Sequence, residues 1–168
     1  MNKKRVHLVG ADLSNQLGLE CFIKNAFIQL DWDVIETSYR VLSKEEVSTR
    51  VRYITDAEFI LVIKGERICP EDVFACRIPT VLYMQDSVEA NKEANFVIQT
   101  KSPLFDLVYS FNQAELPFYQ KFNKNSHYLP LGADKDIHKK VDIEKTIDVG
   151  LVGSLNLNRI NMINYLLS

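Results

Sequence analysis

Asp12 and Asp86 are the residues of this 168-residue chain best placed to do chemistry. Each follows a short apolar run closely: Arg5 to Val9 precedes Gly10 and Ala11, and Thr80 to Met84 precedes Gln85. A carboxylate at the end of a buried strand stands on rigid backbone, and partial desolvation suits it to take a proton from a bound hydroxyl. Asp86 is the first choice as such a base. Asp12, on a longer loop that could swing, is the second. A plainer reading stands beside this one, because Asp is favoured in turns and caps whatever the function.

Other chemistries find less support. Gly10 to Asn15 reads G-A-D-L-S-N, which is not the GxGxxG dinucleotide fingerprint, and Gly18 comes too late to complete it. The sequence has no GxxxxGK[ST] phosphate loop and no GxSxG nucleophile elbow. His7, His127 and His138 share no metal-ligand spacing, and the first two fall inside strand patterns, where a packed or hydrogen-bonded imidazole is expected. Cys21, Cys69 and Cys76 are odd in number and contain no CxxC, so neither a disulfide framework nor a zinc site is suggested. No metal and no cofactor is implied.

The elements that must position these residues alternate along the chain. Strand patterns run over Arg5 to Val9, Asp33 to Ser38, Phe59 to Ile63, Thr80 to Met84, Leu107 to Ser110 and His127 to Leu131. Between them lie helical patterns. Leu19, Phe22, Ile23, Ala26, Phe27 and Leu30 form one stripe at helical spacing, with Ser14 or Asn15 as its cap. Ser43 and Glu46 form a capping box ahead of Val47, Val51 and Ile54. Pro70 opens a third helix with Glu71 and Asp72 in its first turn. Helical signals return around Asn91 to Gln99 and from Leu116 to Phe122, the latter delayed by Pro117.

Six β-α units in succession predict an α/β domain, a Rossmann-like doubly wound parallel sheet of about six strands with helices on both faces, plus one extra β-α unit. The order 3-2-1-4-5-6 is the default, and in it Asp12 and Asp86 face each other if strand one neighbours strand four. The domain is expected over residues 1–134, with a charged linker at 135–146. A further β-α unit spans 147–168, where Ile147 to Val152 reads as a strand and Ile160, Ile163, Leu166 and Leu167 mark a helix face. Such sheets bind ligands beyond the carboxyl ends of their strands. That rule selects Gly10, Lys64, Gly65, Glu66, Gln85, Ser87 and Asn112 as the cleft around the two aspartates.

Composition sets the outer bounds. Lys plus Arg is 20 and Asp plus Glu is 22, a formal net charge of −2 that gives no general attraction to nucleic acid or anionic lipid. No apolar stretch approaches the ~20 residues of a membrane span, and the apolar run after the basic N-terminus is too short for a signal peptide. A reducing cytoplasm is the expected compartment. The apolar residues after Ile147 are expected to dock on the first domain, to dimerise or to be mobile, since unburied apolar surface normally marks an interface.

The stretch from Tyr128 to Arg159 is the most informative. Tyr128-Leu129-Pro130-Leu131-Gly132-Ala133-Asp134 is followed by the linker, then by Asp148-Val149-Gly150-Leu151-Val152-Gly153-Ser154 and Asn158-Arg159. This resembles the crossover of GT-B glycosyltransferases, especially the spore-maturation (CgeB-like) group. There a "YLPLGVD"-type segment closes the N-terminal Rossmann-like domain, and a "D-V-x-x-V-G-S…N-R" segment opens the C-terminal one. Lys64-Gly65 and Gln85-Asp86 are similar to that group's "KG" and "W-x-D"-like strand endings.

The resemblance implies an acceptor-side domain with the start of a donor-side domain. The whole enzyme would move a sugar from a nucleotide-sugar donor to a sugar, protein or small-molecule acceptor. Gly153, Ser154 and Arg159 match the loop and helix start that approach the donor phosphates. The remainder of the donor site is not in this chain, so the fragment alone is expected to be inactive. Two alternatives stay open: a non-catalytic α/β ligand- or partner-binding module, and a receiver-like regulatory domain. The second would want an Asp where Lys64 stands.

Overall fold

A computed structural model describes residues 3–16, 18–133, 135, 138–140, 142–144, 146 and 157–167. The chain divides into two compact units, Met1–Asp134 and Lys135–Ser168.

The first unit is built on strands β1 (Arg5–Gly10), β2 (Asp33–Ser38), β3 (Phe59–Ile63), β4 (Thr80–Met84), β5 (Leu107–Ser110) and β6 (Ser126–Tyr128). Helices α1 (Leu19–Gln29), α2 (Lys44–Tyr53), α3 (Pro70–Ala75), α4 (Lys92–Thr100) and the short α5 (Leu116–Tyr119) connect them. All strands are parallel, in the order β2-β1-β3-β4-β5-β6. The fold is thus an α/β, Rossmann-like doubly wound sheet flanked by helices.

The strand order departs from the expected 3-2-1-4-5-6, and burial gives the reason. β3 is Phe-Ile-Leu-Val-Ile, buried from Ile60 onward, and so belongs inside the sheet. β2 is Asp-Val-Ile-Glu-Thr-Ser, mostly half-exposed, and so takes the edge. The direction of winding reverses between β1 and β3, and β3 separates β1 from β4. Asp12 and Asp86 therefore do not follow neighbouring strands.

Each face of the sheet has its own core. On one, Val9, Ile60, Val62, Leu82 and Met84 pack with Val47 and Val51 of α2, Val73 of α3, and Ala94, Val97 and Ile98 of α4. On the other, Val6, Leu8, Leu61, Ile63, Val81 and Tyr83 meet Ile23 and Phe27 of α1 and Trp32. Alternate residues of each strand feed opposite cores, the period-2 rule of a pleated strand.

Local chemistry explains the boundaries. Ser43 and Glu46 form the expected reciprocal capping box on α2. Asn91 caps α4, accepting from the Glu93 and Ala94 amides at 2.9 and 3.3 Å. Asp72, 2% exposed, receives Ser48 Oγ at 2.7 Å and the Arg52 guanidinium, which ties α3 to α2.

Four expectations are corrected. Neither Ser14 nor Asn15 caps α1; its N-cap is Gly18, with no side-chain bond. Ala26 and Leu30 are exposed, so the buried stripe of α1 is narrower than its spacing suggested. β6 ends at Tyr128 instead of Leu131, because Pro130 has no N–H for the ladder; the Leu129 and Pro130 carbonyls accept the Tyr83 hydroxyl instead. α5 ends at Tyr119 instead of Phe122 and is preceded by a 3-10 turn, Gln113–Glu115.

In the second unit the described helix is α6 (Leu157–Leu167), with Tyr165 and Leu166 exposed. The expected strand at Ile147 to Val152, and Gly153 and Ser154, lie outside the described residues. Among the described residues no helix is long and apolar enough to cross a membrane.

Candidate functional site

The carboxyl edge of the sheet carries the segments that follow β1, β3 and β4, with β2's continuation laid against that of β1. The Tyr39 amide donates to the Gly10 carbonyl at 2.9 Å and the Arg40 amide to the Ala11 carbonyl at 3.1 Å. These bonds fix the β1 and β2 loops side by side.

β3 ends in unusual backbone. Lys64 has φ 65° and Gly65 has φ 73°, two left-handed residues in succession. The Gly65 amide bonds the Ile63 carbonyl at 2.8 Å across Lys64, a γ-turn with positive φ at its centre. Such turns are strained for a residue with a Cβ, and strain of this kind gathers at functional sites. Two bonds hold the turn in place: the buried Lys101 side chain donates from Nζ to the Gly65 carbonyl at 2.8 Å and to the Glu66 carbonyl at 2.7 Å.

The turn brings Lys64 to Asp86. Their Nζ and Oδ2 atoms are 3.1 Å apart, both side chains being about one quarter exposed, at 27% and 29%. Asn91 Nδ2 stands 3.4 Å from the same oxygen. Asp86 thus follows a fully buried strand and is oriented by a lysine and an amide. It caps no helix, since Asn91 caps α4.

Around this pair the charges are mixed. Burial, above all, raises the Glu66 carboxyl above its usual range, helped by Glu93 and opposed by Lys64. Burial pushes the Tyr39 hydroxyl up, with Glu66, Glu20 and Asp86 adding to the effect. Glu20 of α1 leans over Gly10, where an added Cβ would come within 3.0 Å of its Cγ. Gln85 is buried, and its Nε2 has no hydrogen-bond partner among the described residues. A buried donor without a partner costs about 1–3 kcal/mol, a cost that a ligand oxygen could remove.

Most of the expected cleft residues fall into two groups. Lys64, Gly65, Glu66 and Asp86 come together. Asp12 and Asn112 serve their own loops, and Ser87 is bonded to Glu115 instead. Asp12 Oδ1 accepts from the Ser14 amide at 3.1 Å and from the Ser14 hydroxyl, and those bonds hold its carboxyl below the usual range. That is the turn role set beside the catalytic one. Ser87 Oγ bonds Glu115, a buried carboxylate that also takes the Val88 amide at 3.2 Å. Asn112 accepts the Ala114 amide at 3.1 Å. Arg159 is half-buried on α6, in the second unit.

Tyr39, Arg40, Glu20 and Lys101 join the site without having been singled out in the sequence. Lys101 had one visible signal, a charged residue three positions after Ile98 of the apolar stripe of α4. Among the described residues, no His, Cys, Asp and Glu side chains gather in a group of three able to hold a metal ion.

Gly65 is the position least able to change. A Cβ there would lie 3.1 Å from Leu82 Cδ1 and 3.4 Å from Val97 Cγ1, at a φ that L residues avoid. The left-handed conformation alone costs about 1–2 kcal/mol for a residue with a Cβ. Gly65→Ala is therefore expected to lower unfolding free energy by roughly 2 kcal/mol in a urea titration. A variant as stable as the parent chain would show that the turn relaxes freely.

Comparisons with protein families, with curated proteins and with solved structures return no match to this chain.

Proposed function

We propose that this chain is the acceptor-side domain of a GT-B glycosyltransferase, carrying the start of the donor-side domain. The observation that carries the reading is Asp86, a carboxylate with no capping duty, set on a buried strand at the crevice and oriented by Lys64. The order of the Tyr128–Asp134 and Asp148–Arg159 segments supports it from the sequence. On this reading Asp86 takes the proton of an acceptor hydroxyl in an inverting reaction. Gln85, Glu66 and Lys64 hold the acceptor, and Gly153, Ser154 and Arg159 serve the donor diphosphate. A helix N-terminus and basic side chains can stabilise such a leaving group without a metal.

The test is a panel of nucleotide sugars offered to the parent polypeptide and to the 168-residue chain, with release of nucleoside diphosphate as the readout. The parent is expected to turn over at least one donor and the 168-residue chain none. Turnover by the short chain, or an inert parent across the whole panel, overturns the proposal.

A specific observation favours a second reading. The first five strands have the order 2-1-3-4-5, which flavodoxins and receiver domains share. A receiver-like or binding module would use the same carboxyl edge. Against the receiver stands Lys64 at the end of β3, where its phosphate-accepting aspartate would be needed. Covalent labelling of an aspartate by acetyl phosphate would establish the second reading and remove the first.

A further inference from the structure

Beside the β3 turn, between α2, α3 and α4, lies a cavity of about 540 Å³ that shares Tyr39, Glu66 and Lys101 with the site above. Its lining is mainly apolar, with Leu42 and Phe96 among its walls, and it holds three cations, Lys44, Arg67 and Lys101, against one carboxylate, Glu66. A volume of this size suits a small molecule.

Lys101 sets this cavity apart from ordinary surface. The residue is 6% exposed. Its ammonium carries three donors, of which two go to the Gly65 and Glu66 carbonyls. Among the described residues no carboxylate pairs with it. A buried charge without a paired counter-charge is costly, and burial, first of all, lowers the Lys101 ammonium below its usual range, opposed by Cys69, Glu93 and Glu66. Glu66 does not neutralise it directly: its backbone carbonyl, not its carboxylate, receives Lys101. Lys44 and Arg67 likewise have no carboxylate partner among the described residues, so the net charge facing the cavity is positive.

We propose that this cavity binds a small organic anion, an apolar ring or chain bearing a phosphate or carboxylate, with its head against Lys101, Lys44 and Arg67 and its body against Leu42 and Phe96. The anion adds close counter-charge to what Glu93 and Glu66 supply to Lys101 without pairing with it. Because Lys101 also holds the strained turn that aims Lys64 at Asp86, an occupied cavity would stiffen that turn. The binding claim itself does not depend on the glycosyltransferase reading.

The experiment is calorimetric titration of the full chain with phenyl phosphate and hexanoate, against benzyl alcohol and benzylamine of similar bulk. The anions are expected to bind roughly tenfold more tightly than the neutral and cationic probes, about 1.4 kcal/mol by the usual conversion. Arg67→Ala and Lys44→Ala remove exposed charges and leave the fold intact; each is expected to weaken anion binding about fivefold. Lys101→Met should weaken it further, and if that variant fails to fold the two surface variants decide. Amide shifts on binding should fall in Ile68–Ala75 and Val97–Lys101. Equal affinity for all four probes, no anion binding, anion binding unchanged in both surface variants, or shifts confined elsewhere would each overturn the proposal.

Discussion

Acidification from pH 7 to 4 is expected to remove about 3 kcal/mol of stability through His7 alone. The imidazole is fully buried in β1, with Nε2 and Thr37 Oγ1 sharing a 2.8 Å hydrogen bond and Nδ1 without a partner among the described residues. Burial, aided by the nearby Arg50 charge and opposed by Asp56, lowers its pKa from 6.5 to about 4. Protonation would place a charge, and a second N–H with nothing to receive it, inside the sheet. The unfolded chain therefore binds the proton first. Stability from this group is whole above pH 6.5, declines as the pH falls toward 4, and reaches its floor below that. The check is the urea midpoint measured across this range for the parent chain and for His7→Gln, which cannot titrate. Curves that run parallel, or an NMR titration of His7 with a midpoint near 6.5, would sink the prediction.

His7 also illustrates what a sequence conveys about a fold like this one. Its place in a strand implied a packed imidazole, and that is the arrangement found. Strands, caps and the proline starts are local properties, and β2 to β5, the Ser43 box and the Pro70 helix start lie where residue type and period put them. Strand order is different, because it depends on which strands compete for the centre. The continuous apolar run Phe59 to Ile63 carries that information, and it places β3 inside the sheet. Side-chain partnerships are harder still. Glu115 lies buried and reaches 28 residues back to hold Ser87. Lys101 crosses 36 residues to Gly65. No spacing rule covers such distances; they follow from the register of β3, β4 and the helix between β4 and β5.

The same distinction bears on Asp86, for which the sequence allowed either a cap or a base. Asn91 does the capping, so the carboxylate is spared that work. Its remaining partners, Lys64 and Asn91, are side chains that an amide oxygen could also accept from. Asp86→Asn therefore keeps the shape and most of the contacts while removing the ability to hold a proton. The Lys64 pair is partly open to water, and an ion pair of that kind adds little to stability, typically about 0–1 kcal/mol. Loss of a general base, by contrast, slows turnover by roughly 10²-fold or more. On the proposed function, the expected result is a fall in kcat of that size with KM and melting temperature nearly unchanged. Full activity in Asp86→Asn would eliminate this residue as the base. A matched loss of activity and melting temperature would make its role structural, whatever the reaction.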